Sequence, residues 1–281
     1  MAHPYAGREL LLTSKHGKLN LIAPPFVEQI GCTMRELPLD TDRLGTFTGE
    51  VERTGPPRET AIAKARLGMH ATGSLIGIAS EGSIGADPLI PFLQSDIEHL
   101  VLVDDERGIV IGEMHRSFDI TAATITTAPD ADLSRFLLAA DFPNHALIVR
   151  PSGPVTADCT KGIADLATLR EAIASSAGRS ADGLVVIESD LRAMHSPSRR
   201  QNIAAVAMRL AARVAALCPS CGLPGWGCVG YERGLACSAC GTIAPDAPRQ
   251  ERLGCVACDH VEAGSVVADR VDPAHCGVCN P

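Results

Sequence analysis

Four Cys-x-x-Cys pairs crowd the last quarter of the chain: Cys218 with Cys221, Cys237 with Cys240, Cys255 with Cys258, and Cys276 with Cys279. Each such turn presents two thiolates from adjacent backbone. Two turns together complete the tetrahedral shell of a structural zinc. Taken in chain order, the spacing predicts one zinc on Cys218, Cys221, Cys237 and Cys240 and a second on Cys255, Cys258, Cys276 and Cys279. The interleaved pairing, first pair with third and second with fourth, is the alternative that the same residues permit. Redox dithiols are the other use of this motif, but those lie between a strand and a helix and do not come in fours. Gly222, Gly241, Asp259 and Asn280 follow the second cysteine of each pair, and all four residue types tolerate the positive φ that a metal knuckle often needs. Cys228, His260 and His275 read as bystanders.

A second set of chemically able residues lies in three loops that follow apolar runs. The first, TSKHGK, carries Thr13, Lys15, His16 and Lys18. The second, SEGS, carries Glu81. The third, ESDLRAMHSPSRR, carries Glu188, Asp190, Arg192, His195, Arg199 and Arg200. Ligands of open α/β sheets gather at the carboxyl ends of strands, which is where these loops are expected. Cations of the first and third loops suit a polyphosphate. Carboxylates of the second suit Mg²⁺, with Glu59 facing Glu81 from the start of a helix. His70, His99, His115 and His145 have no partner at ligand spacing. Cys32 and Cys159 read as small core residues.

The elements that must position these groups alternate. RELLLTS from Arg8 reads as a buried strand, and a second strand is expected near Cys32 to Leu37. The polar, Gly/Pro-rich stretch from Asp40 reads as a long loop. RETAIAKARLGMHATG has helical spacing at Ala61, Lys64, Ala65 and Gly68. LIGIASEGSIG reads as a strand that breaks into a Gly/Ser turn with Glu81 at its mouth. HLVLVDDERGIVIGEM is a hairpin centred on Asp104 to Gly108. A helix at ADLSRFLLAADF, a strand at HALIVRP, a helix at ADLATLREAIASSAG and a strand at DGLVVIES follow. SPSRRQNIAAVAMRLAARVAAL reads as a long helix with an apolar spine of Ile203, Val206, Leu210, Val214 and Leu217. Ser196 or Ser198 is expected to cap it, with Pro197 in its first turn. The fold class is therefore α/β, a mixed sheet with flanking helices over residues 1–216, followed by a small tandem zinc module over 217–281.

Composition bounds the partners. The 281 residues carry a net charge of −8. From 218 to 281 there are four Arg, no Lys and seven Asp or Glu. A surface without excess cations cannot displace counterions from phosphate backbones, so nucleic acid is not the expected partner. No apolar run is long enough for a membrane span, and the first residues lack the pattern of an export signal, which makes the cytoplasm the expected compartment.

Two resemblances extend this reading. The words HGK at 16–18, DTDRLGTFTGEVER at 40–53, ASEGS at 79–83, HALIVRP at 145–151, ESDLRAMHSPSRR at 188–200 and the CPSC…CNP tail resemble a bacterial family known only as a domain of unknown function. Residues 8 to about 215 are similar in element order to the inosine triphosphate pyrophosphatase and Maf-like superfamily. LTSKHGK stands where that family has its opening Thr-x-Asn-x-x-Lys loop, with Lys15 in place of the Asn. ETAIAKA stands for its Glu-led helix, GIASEGSIG for its acidic turn, and SPSRR for a Ser-His-Arg motif. The second resemblance implies an inosine triphosphatase-like fold and hydrolysis of a nucleoside triphosphate to monophosphate and pyrophosphate. Glu81 with Glu59 would then bind Mg²⁺ and orient water, with Asp190 as a second candidate ligand, while Lys18 and Arg199 or Arg200 would neutralise the triphosphate. Thr13 would hydrogen-bond a phosphate oxygen. The alternative is a non-catalytic nucleotide- or protein-binding module that uses the zinc tail as an interaction surface.

Overall fold

The computed structural model describes residues 2–41, 55–153 and 158–281. The expected loop from Asp40 lies largely outside them, as does most of the 40–53 word. The chain packs as two compact units: Gly7–Leu210, and Met1–Ala6 with Ala211–Pro281.

In the larger unit, β1 (Glu9–Thr13) leads into α1 (Leu19–Ile30) and β2 (Thr33–Leu37). Then come α2 (Pro57–Thr72), β3 (Ile76–Ala86), β4 (Gln94–Asp104) and β5 (Ile109–Ser117). These strands form a five-stranded mixed sheet in the order β2-β1-β3-β4-β5. β1 is parallel to both neighbours, whereas β3, β4 and β5 form an antiparallel meander. α2 has Pro at its N-terminus and Glu59 in its first turn, both favourable there. It lays Ala61, Ala65 and Met69 against Ala79, Val101 and Val103 of the sheet. The β4–β5 turn closes where Asp104 accepts from the Arg107 N–H at 3.0 Å and Gly108 takes a φ of 67°.

Next come β6 (Thr124–Thr127), α3 (Ser134–Ala139), β7 (Leu147–Pro151), β8 (Thr160–Ile163), α4 (Leu166–Arg179) and β9 (Val185–Ser189). They build a separate antiparallel sheet, ordered β6-β9-β7-β8, with α3 and α4 over a core of Phe136, Leu147, Val149, Leu169, Ile173, Val185 and Ile187. Asp165 caps α4 by accepting from the Ala167 and Thr168 N–H groups. α5 (Pro197–Ala215) buries Ile203, Val206, Leu210 and Val214, the expected spine up to its last turn.

Four differences from the sequence expectation have local causes. Among the described residues the larger unit holds two sheets, where one was expected. α1 is not among the expected elements, and it carries Pro24 and Pro25, residue types that disfavour a helix interior. β3 does not turn at Ser80–Ser83: its ladder to β4 runs unbroken from Ile76↔Asp104 to Ala86↔Gln94. Finally, no serine hydroxyl caps α5. Ser196 Oγ is buried without a hydrogen-bond partner, and the Ser198 N–H donates to His145 Nε2 at 3.2 Å instead.

In the smaller unit, β10 (Gly227–Ala236), β11 (Ile243–Gly254) and β12 (Val261–Val266) form an antiparallel sheet. The first residues belong with it and not with 7–210: Tyr5 is buried, and His3 Nε2 meets the Val214 carbonyl at 3.0 Å. Among the described residues no helix is long and apolar enough to cross a membrane.

Candidate functional site

The polar loop after β1 opens onto a cleft of about 40 Å³. Thr13 closes β1, and Ser14, Lys15, His16 and Lys18 carry the chain round to α1. α2 contributes Lys64, β3 contributes Ser80 and Glu81, and α5 contributes Arg199. Thr41 completes the lining. The location follows from the sheet: β1 is the central parallel strand and ends at Thr13, while β3 runs on alongside the space beyond it. Adjacent residues of β3 point to opposite faces, so Ser80 and Glu81 reach the cleft from different sides.

The hydrogen bonding is dense. Lys64 Nζ pairs with Glu81 Oε2 at 2.5 Å, both side chains nearly enclosed. Lys18 Nζ donates to Ser80 Oγ at 2.8 Å. Arg199 Nε donates to Glu98 Oε1 at 2.6 Å, and its Nη1 donates to the Leu191 carbonyl at 2.6 Å. A Cβ at Gly82 would overlap both Glu98 and Arg199, so glycine is what lets that ion pair lie across β3. Likewise a Cβ at Gly68 would overlap Thr13 Oγ1, which is buried and has no hydrogen-bond partner.

Lys15, Lys18, Lys64 and Arg199 line the cleft with Glu81, and of these cations Lys15, Lys64 and Arg199 each pair with a carboxylate. Burial, followed by the Arg199 charge, lowers the Lys18 ammonium to about 8, with Lys64 adding to the same effect. α1 starts at Lys18 without an acidic residue in its first turn, and the Lys18 N–H donates to Glu36 Oε1 at 2.9 Å. The helix dipole adds positive potential beside the same loop. The chain has only four lysines, Lys15, Lys18, Lys64 and Lys161, and three of them line this one cleft.

Of the residues singled out from the sequence, Thr13, Lys15, His16, Lys18, Glu81 and Arg199 line the cleft. Lys15 also pairs with Asp40 at its rim, 3.0 Å apart. Glu59 does not join them. It is exposed in the first turn of α2, and five residues of helix turn it well away from Lys64 and hence from Glu81. Arg200 is absent from the lining, because successive helical residues diverge by about 100° and only Arg199 faces inward. Asp190 and Arg192 pair with each other, 2.5 Å apart, and line a different, more apolar cleft of about 220 Å³ with Glu188 and Ile84. Asp190 further accepts from the Gly162 N–H at 3.0 Å. Sequence reasoning did not assign Lys64, Ser80 or Glu98 to the site. The signal for Glu98 lay in SDIEHLVLV, where Asp96 and Glu98 keep the period-2 phase of Leu100 and Leu102, an inward-facing pattern.

The cysteines gather into two tetrads, Cys218, Cys221, Cys255 and Cys258, and Cys237, Cys240, Cys276 and Cys279, with the ligand atoms of each set within 4.8 Å of one another. The pairing is thus interleaved and not sequential. The cause is the β10–β11 hairpin. Ten residues of β10 separate Cys221 from Cys237 by roughly 30 Å, too far for one metal. The return along β11 brings Gly254 opposite Gly227 and so carries Cys255 back beside the first knuckle. Sulfur separations of 3.9 and 3.6 Å in the first tetrad and 3.8 and 3.7 Å in the second match the edge of about 3.8 Å that four Zn–S bonds in a tetrahedron require. Both tetrads could hold metal ions, and their geometry is compatible with zinc. Gly222 and Gly241 take φ of 71° and 73°, whereas Asp259 and Asn280 keep negative φ. His260 is no ligand. It stacks on Trp226, centroids 5.3 Å apart, and bonds Glu262.

The chain belongs to a family defined by a domain of unknown function, DUF6671, whose model matches residues 64–281. That span takes in the second half of α2, strands β3 to β12 and both cysteine tetrads, and leaves β1, β2 and the Thr13–Lys18 loop outside it. No curated protein matches the chain.

Proposed function

We propose that the chain binds the phosphate groups of a nucleotide at the end of β1 and hydrolyses a nucleoside triphosphate or related nucleotide to monophosphate and pyrophosphate. The observation that supports this most is the convergence of Lys18, Lys64, Arg199 and Thr13 on one small cleft beside the start of α1. Phosphoryl transfer needs chiefly positioning and neutralisation of charge, and these groups supply both. Lys18 and Arg199 hold phosphate oxygens, and Thr13 donates to one. Glu81 orients the attacking water and takes its proton. Mg²⁺ would enter with the nucleotide and be held by Glu81, adding charge neutralisation, since Mg²⁺ needs only one or two protein carboxylates. Zinc in both tetrads would hold the small unit together, in place of the hydrophobic core that so short a segment lacks.

A specific observation favours a second reading. Glu81 is already committed to Lys64 at 2.5 Å, and Glu59 is elsewhere. A cleft so paired suits binding without turnover, with the zinc tail as a protein-contact surface.

One experiment separates the two. Purified protein is incubated with a nucleoside triphosphate panel and Mg²⁺ while pyrophosphate is followed, and pyrophosphate binding is measured by calorimetry. Release that is lost in both Glu81→Gln and Lys18→Ala supports hydrolysis. Pyrophosphate binding that needs Lys18, without release, supports the binding module. Neither release nor binding removes both readings.

A further inference from the structure

The tip of the β3–β4 hairpin, residues 87–93, presents apolar side chains to solvent. Phe92 is 87% exposed and Leu89 76%, with Leu93 beside them at 43%. The tip is nevertheless tightly built. The buried Asp87 carboxylate accepts from the Leu89 and Ile90 N–H groups at 2.9 and 2.8 Å and from Arg116 Nε at 2.6 Å. The backbone closes where the Asp87 N–H donates to the Leu93 carbonyl at 2.8 Å and the Leu93 N–H to the Ile90 carbonyl at 2.9 Å. Pro88 and Pro91 fix two further φ angles. Displayed in this way, the phenylalanine and two leucines add nothing to the core. Their fixed placement does lower the ordering cost of a contact made through them. At the base of the same hairpin lies the apolar cleft of about 220 Å³, lined by Ile84, Gly85, Ala122, Thr124, Ile148 and Leu191. A Cβ at Gly85 meets nothing within 4 Å, so the cleft is open there. Asp190 and Arg192 at its margin satisfy each other.

One unit of the chain thus carries both an apolar knob and an apolar hole. The knob cannot fill its own hole, because the β3–β4 ladder runs unbroken to Ala86↔Gln94 and holds the tip out beyond it. Charge gives a bilayer no purchase: between Ala86 and Ser95 the only charged residue is the buried Asp87, and the chain as a whole is at −8, so no cation here meets an anionic lipid surface. We propose that the occupant is a second copy of this chain, in a two-fold dimer formed by hairpin exchange. Phe92 of each copy enters the cleft of the other, while Leu89 and Leu93 cover its rim. Knob and hole stand on neighbouring parts of one hairpin, so a single two-fold axis makes both contacts at once and the assembly closes at two. The area suffices for such a contact. Phe92 alone exposes most of the about 150–250 Å² that an aromatic side chain can bury. With the leucines and both clefts, the exchange withdraws on the order of 1,000 Å² from water, where specific interfaces begin. The proposal does not rest on the hydrolysis reading, since the phosphate cleft takes no part in it.

The test is sedimentation equilibrium of the full chain between about 1 and about 200 µM. A monomer–dimer equilibrium is expected, weakened at least about tenfold by Phe92→Ser, which blunts the knob, and by Gly85→Leu, which fills the hole. Unchanged denaturation midpoints establish that both variants fold. Benzoylphenylalanine in place of Phe92, irradiated in a mixture of isotopically heavy and light chains, should crosslink between chains to peptides carrying Ile148 or Leu191. A monomer throughout the concentration range overturns the proposal. So does a dimer that either folded variant leaves intact, because its interface then lies elsewhere, and so does growth beyond the dimer. Should Gly85→Leu fail to fold, Phe92→Ser and the crosslinked peptides decide the matter, and crosslinks between chains that miss the cleft count against it.

Discussion

Asp96 shows how far a single residue can depart from what its type suggests. It is fully buried on β4, with Oδ2 accepting from Asn202 at 2.9 Å and Oδ1 without a partner. Burial first, and then the Glu98 charge, push its carboxyl up to about 7 from an ordinary value of 3.8. Between those values the folded chain holds a proton that the unfolded chain has lost. Stability must therefore fall as pH rises from about 4 to about 7 and level off above. Asp96→Asn keeps the acceptor for Asn202 and removes the titration. Its denaturation midpoint should vary less with pH across this window than that of the wild type. A variant that keeps the wild-type slope would show that Asp96 titrates normally. Nothing in the identity of an aspartate signals this. The cause is the packing of β4 beneath α5, which needs the fold.

At the scale of elements, α5 depends on a residue that looked idle. His145 receives the Ser198 N–H at Nε2, meets Ser198 Oγ at 3.0 Å, and pairs through Nδ1 with Asp141 at 2.9 Å. It supplies the acceptor that an N-cap serine normally gives, since Ser196 Oγ points away from this role. His145→Ala should cost about 1 kcal/mol, the usual scale of a lost cap, read as a lower denaturation midpoint. Ser196→Ala should leave the midpoint nearly unchanged. Equal losses in both variants would return the cap to the serine. The elements themselves were mostly readable, because the periodicities of α2, α4, α5 and the β4–β5 hairpin are local and strong. β6 and β8, each four residues long, were not. Strands that short carry no period of their own and exist through pairing with β9 and β7.

For the whole molecule, the cysteine pairing makes a sharp forecast. Cys221→Ser should reduce the metal content from two zinc to one per chain. It should also expose Cys218, Cys255 and Cys258 together to alkylation, while Cys237, Cys240, Cys276 and Cys279 stay protected. Exposure of Cys237 and Cys240 instead would restore the sequential pairing. The sequence by itself determined the eight cysteines that could hold metal, the alternation of strands and helices, and the cationic loop after β1. Each of these rests on residue type and short spacing, which act within a few residues. Only the tertiary structure decided which cysteine pairs gather into one tetrad, that Arg199 and not Arg200 faces the cleft, that Glu59 stands apart from Glu81, and that Lys64 lines the cleft. Those outcomes depend on the direction in which a strand of roughly 30 Å returns and on which face a side chain leaves its element. Neither quantity is contained in the spacing of the residues that do the chemistry.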